Sequence, residues 1–341
     1  MTERIVKVKD IIDTLDKITG GRVVKGREDL FCGKNPFVVV KSSNIPGKAV
    51  MEIPGIVWGD LNKPVRKLAV AMTLTECKIE LAGATGVDVI VAHHPIADAA
   101  NSGGVTLKNY LGLYNIAAIE LHEAFHGLHP GISYIHGIKA HRVDIAYGGI
   151  PGNIMYVGTT LEGIETLGDI LNRLREFMNY EVEEEMLESE RQVRGCREIL
   201  ETNIVTGGKI FNGSIDSRVK NVLHIFPHTG FTPEHLEQVM KEHPEVDTVL
   251  ATISRVHEDS PLVLKAQEYG LNFIAGNSHA MEIYENGLPL AAALNYYLGR
   301  DVKILIFNER VTSTPVEMFG SKAVREYAKY ITENFLIEKG K

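Results

Sequence analysis

Cysteine is scarce in this chain: Cys32, Cys77 and Cys196 are its only three in 341 residues. Odd in number, far apart and without CxxC spacing, they exclude a disulfide framework and a thiolate zinc site, and they fit a reducing cytoplasm. Long apolar runs are missing as well. LAVAM and VDVIVA fall far short of the roughly 20 residues a membrane-spanning helix needs, and the opening MTERIVKVKD has no apolar signal core, so neither membrane insertion nor export is expected. Nor is there a basic excess: 36 Lys and Arg stand against 44 Asp and Glu, a formal charge of −8. That balance sets nucleic acid aside as the main partner, because backbone binding needs a clustered positive surface. The sequence contains no internal repeat, low-complexity tract, GxSxG elbow, P-loop or GxGxxG turn.

What is present is ample apolar residue for well-buried cores, at 44% hydrophobic. Aliphatic segments alternate with amphipathic ones: RKLAVAM, ECKIELAGATG, VDVIVA and NIAAIEL, then TVLATI, KAQEYG and LNFIA. This order reads as strands and helices of an α/β protein with mixed sheets covered by helices. Val8, Ile11, Ile12, Leu15 and Ile18 have helical spacing and stop at a glycine pair. Leu167, Ile170, Leu171, Leu174 and Phe177 lie on one side of a second helix. We divide the chain into an N-terminal α/β half, 1–140, a connecting region, 141–218, and a C-terminal α/β half, 219–341. Within the connecting region, 181–218 is polar and then glycine-rich, as an insertion would be, and its acidic run EVEEEMLESERQ reads as a solvated helix face or connector. The segment SKAVREYAKYITENFLIEKGK reads as a closing helix with a frayed tail.

Thirteen histidines are present, and seven of them fall between His93 and His141. In VDVIVAHHPIAD a buried-strand pattern ends abruptly at His93 and His94, and Pro95 stops the strand. Adjacent imidazoles at an irregular strand end can reach two metal ions, or a metal and its substrate. A second cluster, IELHEAFHGLHPG, offers His122, Glu123 and His126. If that segment is helical, His122 and His126 share a face, although Gly127 and Pro130-Gly131 break it. In the third, FIAGNSHAMEIYENG, an aliphatic run ends at Gly276 and presents His279 and Glu282 at i, i+3. Three strand ends, each carrying histidine and a nearby carboxylate, fit one metal site at the carboxyl edge of a sheet. His257 opens another helix after another strand and belongs near that pocket. His224 and His228 flank a strand and read mainly as packing or loop residues. Asp88 reads as the polar start of its strand.

In their order these motifs resemble the Nif-three-like family of dinuclear-metal hexameric proteins, whose members carry the label GTP cyclohydrolase I type 2. The resemblance runs over roughly residues 5 to 135, 153 to 180 and 218 to 308, with AHHP and HAME its most specific parts. It implies two halves around a shared metal-site cleft, a cytoplasmic hexamer built as a trimer of dimers, and metal ligation by His93, His94, His126, His279 and Glu282. His126 stands where the family has an aspartate, and the C-terminal His and Glu are three apart rather than four, which leaves Glu285 as an alternative ligand. Four imidazoles and one carboxylate would leave about three uncompensated positive charges on two divalent ions. The expectation is therefore a bridging hydroxide or phosphate, recruitment of Glu123, or a single metal. Zinc, manganese, iron, cobalt or nickel, one or two per chain, suits such donors. His122, Glu123 and His257 are then candidates for proton transfer or phosphate contact in a hydrolase or cyclohydrolase acting on a small anion such as a nucleotide. A metal-binding scaffold without turnover is the rival reading.

Overall fold

A computed structural model describes residues 5–26, 28, 34–42, 49–96, 107–145, 154–197, 202–226, 231–252, 256–276 and 281–336. Thirteen strands are present among them. In chain order they are β1 (Val39–Ser42), β2 (Ala49–Glu52), β3 (Gly55–Trp58), β4 (Lys67–Ala71), β5 (Val89–Ala92), β6 (Ala117–Glu120), β7 (Ile138–Ile145), β8 (Ile154–Thr160), β9 (Lys209–Asn212), β10 (Asn221–Ile225), β11 (Thr248–Ala251), β12 (Asn272–Ala275) and β13 (Lys303–Ile306). They form a five-stranded sheet of order β13-β4-β5-β6-β3, a six-stranded sheet of order β7-β8-β10-β11-β12-β9, and the antiparallel ribbon β1-β2.

In the first sheet β13, β4, β5 and β6 are parallel and β3 closes one edge antiparallel. Parallel strands covered on both faces must be apolar throughout, and VIVA of β5 is buried at every position. Alternate residues divide between two cores. Leu68, Val70, Val89, Val91 and Ile119 pack with Val8, Ile11, Ile12 and Leu15 of the helix Val8–Thr19 and with Leu290 and Leu294 of the helix Leu288–Leu298. Ala69, Ala71, Ile90 and Ala118 face Ile79, Ala82, Leu107 and Leu111. The helix Val8–Thr19 ends at Gly20, whose φ of 68° is the left-handed cap that glycine takes without strain.

In the second sheet β10, β11 and β12 run parallel inside antiparallel edges. Val222, Leu250 and Ile274 pack on Leu167, Ile170 and Leu174, while Leu223, Val249 and Phe273 pack on Leu236, Val239 and Val263. Phe177 departs from the expected apolar side and is exposed on the last turn of its helix. The acidic run forms the helix Tyr180–Arg194, clamped to the later chain by Arg310, which pairs with Glu183 and Glu190 at 2.9 and 3.3 Å. Between the described strands β12 and β13, the turn Ile283–Gly287 leads into Leu288–Leu298, whose packing on the first sheet brings Glu282 of the later chain to the strand ends of the earlier one. No helix among the described residues is long and apolar enough to cross a membrane.

Candidate metal centre

The ladder of the first sheet runs on past its carboxyl edge. His93 N donates to Ala71 O at 3.0 Å, His94 N to Met72 O at 2.7 Å, and Leu121 N to Ala92 O at 2.9 Å. These bonds hold His93 and His94 at the end of β5 beside Leu121 and His122 at the end of β6. The Glu120 carboxylate accepts from Ile96 N and from Ile53 N, both at 2.9 Å, and so ties down the chain on either side of the cluster. The segment 122–126 is not helical. It turns, with Phe125 N donating to His122 O at 2.8 Å and Gly127 at φ 71°, so His122 and His126 are gathered by a loop rather than by i, i+4 spacing.

Seven described side chains converge here: Glu52, His93, His94, His122, Glu123, His126 and Glu282. Their ligand atoms form three groups, each with all members within 4.8 Å of one another: His93 with His122 and His126, His93 with His94 and Glu282, and Glu52 with His122 and Glu123. Six of the seven are buried and His94 is half-buried. Glu282 Oε2 lies 2.7 Å from His94 Nε2 and its Oε1 lies 3.7 Å from His93 Nε2. His93 Nδ1 donates to Leu121 O at 2.9 Å, which leaves the Nε2 lone pair of the neutral ring facing His126 Nε2 at 3.3 Å. Burial, and then the neighbouring His126, hold the His93 pKa well below the usual imidazole range, so the ring is in the neutral form a metal requires. Thr73 Oγ1 sits 2.8 Å from His94 Nδ1, and a hydroxyl can donate or accept, so it serves either tautomer of that ring.

The structure thus brings together six of the eight residues singled out in the sequence. His279 lies outside the described residues. His257 belongs to none of the three groups; its backbone amide donates to Ser260 Oγ at 2.8 Å at the start of the helix Pro261–Glu268. Sequence reasoning missed Glu52. It ends β2, 2% exposed, and its Oε2 accepts from His122 Nδ1 at 3.0 Å. Its only signal was a glutamate closing an otherwise apolar AVME strand just before a proline and glycine.

Glu285 does not join this cluster. The turn Ile283–Gly287 is a π-turn, a widened geometry frequent at functional sites. It sends Glu282 to His93 and His94, while Glu285 Oε1 lies 3.8 Å from His136 Nε2. His136 is edge-on to His224, whose Nδ1 is hydrogen-bonded to Ser133 Oγ at 2.7 Å. Phe226 separates the two clusters, stacking on His224 with centroids 5.4 Å apart and on His126 at 6.3 Å. His224 is a buried residue of β10, as the packing reading of the sequence expected. His228 lies outside the described residues.

Among known proteins, residues 43–122 match the family model described as Duf34/NIF3 (NGG1p interacting factor 3). No curated protein matches the sequence. The fold is similar to that of a Bacillus cereus protein related to NIF3, with a TM-score of 0.57 and 14% identity over 92% of this chain and 99% of that one. A hypothetical protein from Staphylococcus aureus gives 0.56 at 14% identity, covering 89% of this chain and 97% of that one. Reduced HcgD from Methanocaldococcus jannaschii gives 0.53 at 17% identity, covering 89% and 98%. The match over 43–122 and the fold shared along most of the chain support membership of the Nif-three-like family.

Proposed function

We propose that this is a divalent-metal-binding protein acting as a metal-dependent hydrolase or cyclohydrolase on a small phosphate-containing anion such as a nucleotide. One observation carries the metal reading. His126 faces an acceptor on both sides: its Nε2 is 3.3 Å from the His93 lone pair, and its Nδ1 is 3.3 Å from Glu123 Oε2. A neutral imidazole has a single N–H and cannot satisfy both, so the cluster as built calls for an added positive charge. Imidazole and carboxylate donors without thiolate fit zinc, manganese, iron, cobalt or nickel.

In this reading His93, His94 and Glu282 hold an ion, with His279 a further ligand expected from the sequence. A bound ion supplies Lewis acidity and lowers the pKa of a water it coordinates. The chain orients and insulates that chemistry. Leu121 O and Thr73 fix the two imidazoles, and the buried strand ends exclude bulk water from all but the His94 side. Glu123 Oε2 is placed to take up or return a proton at His126 Nδ1. The charge balance differs from the one set by four imidazoles and one carboxylate. With Glu52 and Glu123 counted beside Glu282, two divalent ions keep about one uncompensated positive charge rather than three. An anionic substrate is still favoured, and a bridging phosphate is no longer needed for neutrality.

The test is to load purified protein with manganese or zinc and follow phosphate release from GTP and a panel of phosphate esters, with chelator controls. Metal-dependent turnover abolished by His94→Ala supports the hydrolase. Tight metal binding with no turnover on any member would replace it with the scaffold reading. The hexamer and the cytoplasmic location rest on the family resemblance and form part of this proposal.

A further inference from the structure

The three metal-ready groups overlap unevenly. The group His93, His122, His126 shares a residue with each of the others, whereas His93, His94, Glu282 and Glu52, His122, Glu123 have no residue in common. Two ions can therefore each have a full set of three side chains in only one way. Building on the reading of this cluster as a metal centre, we propose that Glu52, His122 and Glu123 form a separate divalent-cation site beside the one at His93, His94 and Glu282. His126 is the bridge between them.

Spacing, charge and burial agree. His122 Nδ1 lies 3.0 Å from Glu52 Oε2 and 3.7 Å from Glu123 Oε1. Ligands about 2.0–2.2 Å from a tetrahedral ion are about 3.3–3.6 Å apart, so an ion enters with shifts of a few tenths of an ångström. Glu52, His122 and Glu123 are 2, 7 and 2% exposed. Two buried carboxylates within reach of one imidazole are costly to ionise alone, and one divalent ion neutralises both. The geometry also accounts for His126 at the position where the resemblance leads one to expect aspartate. The carboxylate charge is supplied from β2 and from the residue after His122 instead, and His126 touches both groups, at 3.3 Å from His93 Nε2 and 3.3 Å from Glu123 Oε2. The two sites differ in character: one has two imidazoles and one carboxylate, the other one imidazole and two carboxylates. Harder cations such as manganese prefer the second.

The experiment is a manganese and zinc titration with elemental analysis after desalting, on wild type, on Glu52→Gln/Glu123→Gln and on His94→Ala/Glu282→Gln, each checked for native circular dichroism. Expected are two ions per chain for wild type and one for each double variant. The ion retained by His94→Ala/Glu282→Gln should favour manganese relative to the one retained by Glu52→Gln/Glu123→Gln. Two ions still bound by Glu52→Gln/Glu123→Gln, with affinity lowered about 10–100-fold, would overturn the proposal and make Glu52 and Glu123 residues that orient His122 and His126. Loss of both ions in His94→Ala/Glu282→Gln would overturn the independence of the sites. If Glu52→Gln/Glu123→Gln does not fold, anomalous scattering from manganese-soaked wild-type crystals decides. A peak between Glu52, His122 and Glu123 supports the site, and a peak only at His93, His94 and Glu282 refutes it while leaving the first ion intact. No metal at all in wild type would instead sink the reading on which both sites rest.

Discussion

Glu282→Gln should move the metal-free and metal-loaded proteins in opposite directions. In the metal-free chain the carboxylate is 1% exposed and 2.7 Å from His94 Nε2, so its charge is carried at a desolvation cost that an isosteric amide avoids. The amide can still bond to the imidazole, and the apo variant should be as stable as wild type or up to about 1 kcal/mol more stable. With metal the order reverses. A ligand at 100 times its Kd stabilises the native state by about 2.7 kcal/mol. At about 2.1 cal/mol/K per residue, a chain of 341 residues has an unfolding entropy near 0.7 kcal/mol/K, so this stabilisation is about 4 °C in Tm. The assay is scanning calorimetry with chelator and with saturating manganese or zinc. Wild type should gain about 4 °C or more from metal, and Glu282→Gln less than about 1 °C at the same concentration. A variant that keeps the full metal-induced gain would refute the placement of Glu282 in the centre.

Three further outcomes follow from particular contacts. His224 is fully buried, and burial, followed by the charge of His136, holds its pKa well below the usual value, while the unfolded chain takes up a proton near pH 6.5. Its contribution to stability is therefore complete above about pH 6.5 and is lost as pH falls below it, at up to about 1.4 kcal/mol per pH unit. Urea unfolding in chelator at pH 7.5 and 5.5 should show a smaller difference for His224→Phe than for wild type, and equal differences would refute this. Gly276→Ala would set a Cβ 2.5 Å from His136 Nε2, and displacing that buried ring should cost about 1–3 kcal/mol by urea unfolding; a neutral effect would mean that the ring moves freely. Light scattering after size exclusion should give six chains per particle, and a monomer would remove the hexamer from the proposed function.

The strands at the heart of each sheet were legible because parallel strands buried on both faces leave continuous aliphatic runs. VIVA and AAIE announce themselves without partners. His93 and His94 were legible for a related reason, since an abrupt change from aliphatic to imidazole marks a strand end. Glu52 was not. It faces His122 because of the pairing of β2 with β1 and the bond from Ile53 N to Glu120, contacts about 70 residues apart that no local pattern encodes. The loop holding His122 and His126 was misjudged as a possible helix for want of the same information. The i, i+4 spacing was real, and Gly127 together with the pull of the β6 ladder overrode it.

Glu282 and Glu285 show how far one turn can divide the chemistry. Three residues apart on a regular helix, they would lean toward one face. Here the π-turn beginning at Ile283 intervenes, and one carboxylate meets His94 and the other His136. The ambiguity between them in the sequence thus has a physical resolution: each serves a different histidine pair, with the Phe226 ring between the pairs. Exchanging their roles would require the turn to rewind by a residue, which Gly287 resists because a Cβ there would fall 2.4 Å from Ile283 Cδ1 and 3.4 Å from Met72 Sδ. Gly287→Ala should therefore disturb Glu282 without touching any imidazole. Its metal affinity should fall, while urea unfolding of the metal-free protein in chelator shows a loss of about 1–3 kcal/mol. Unchanged metal affinity in a variant destabilised by that amount would show that the site does not depend on how this turn is wound.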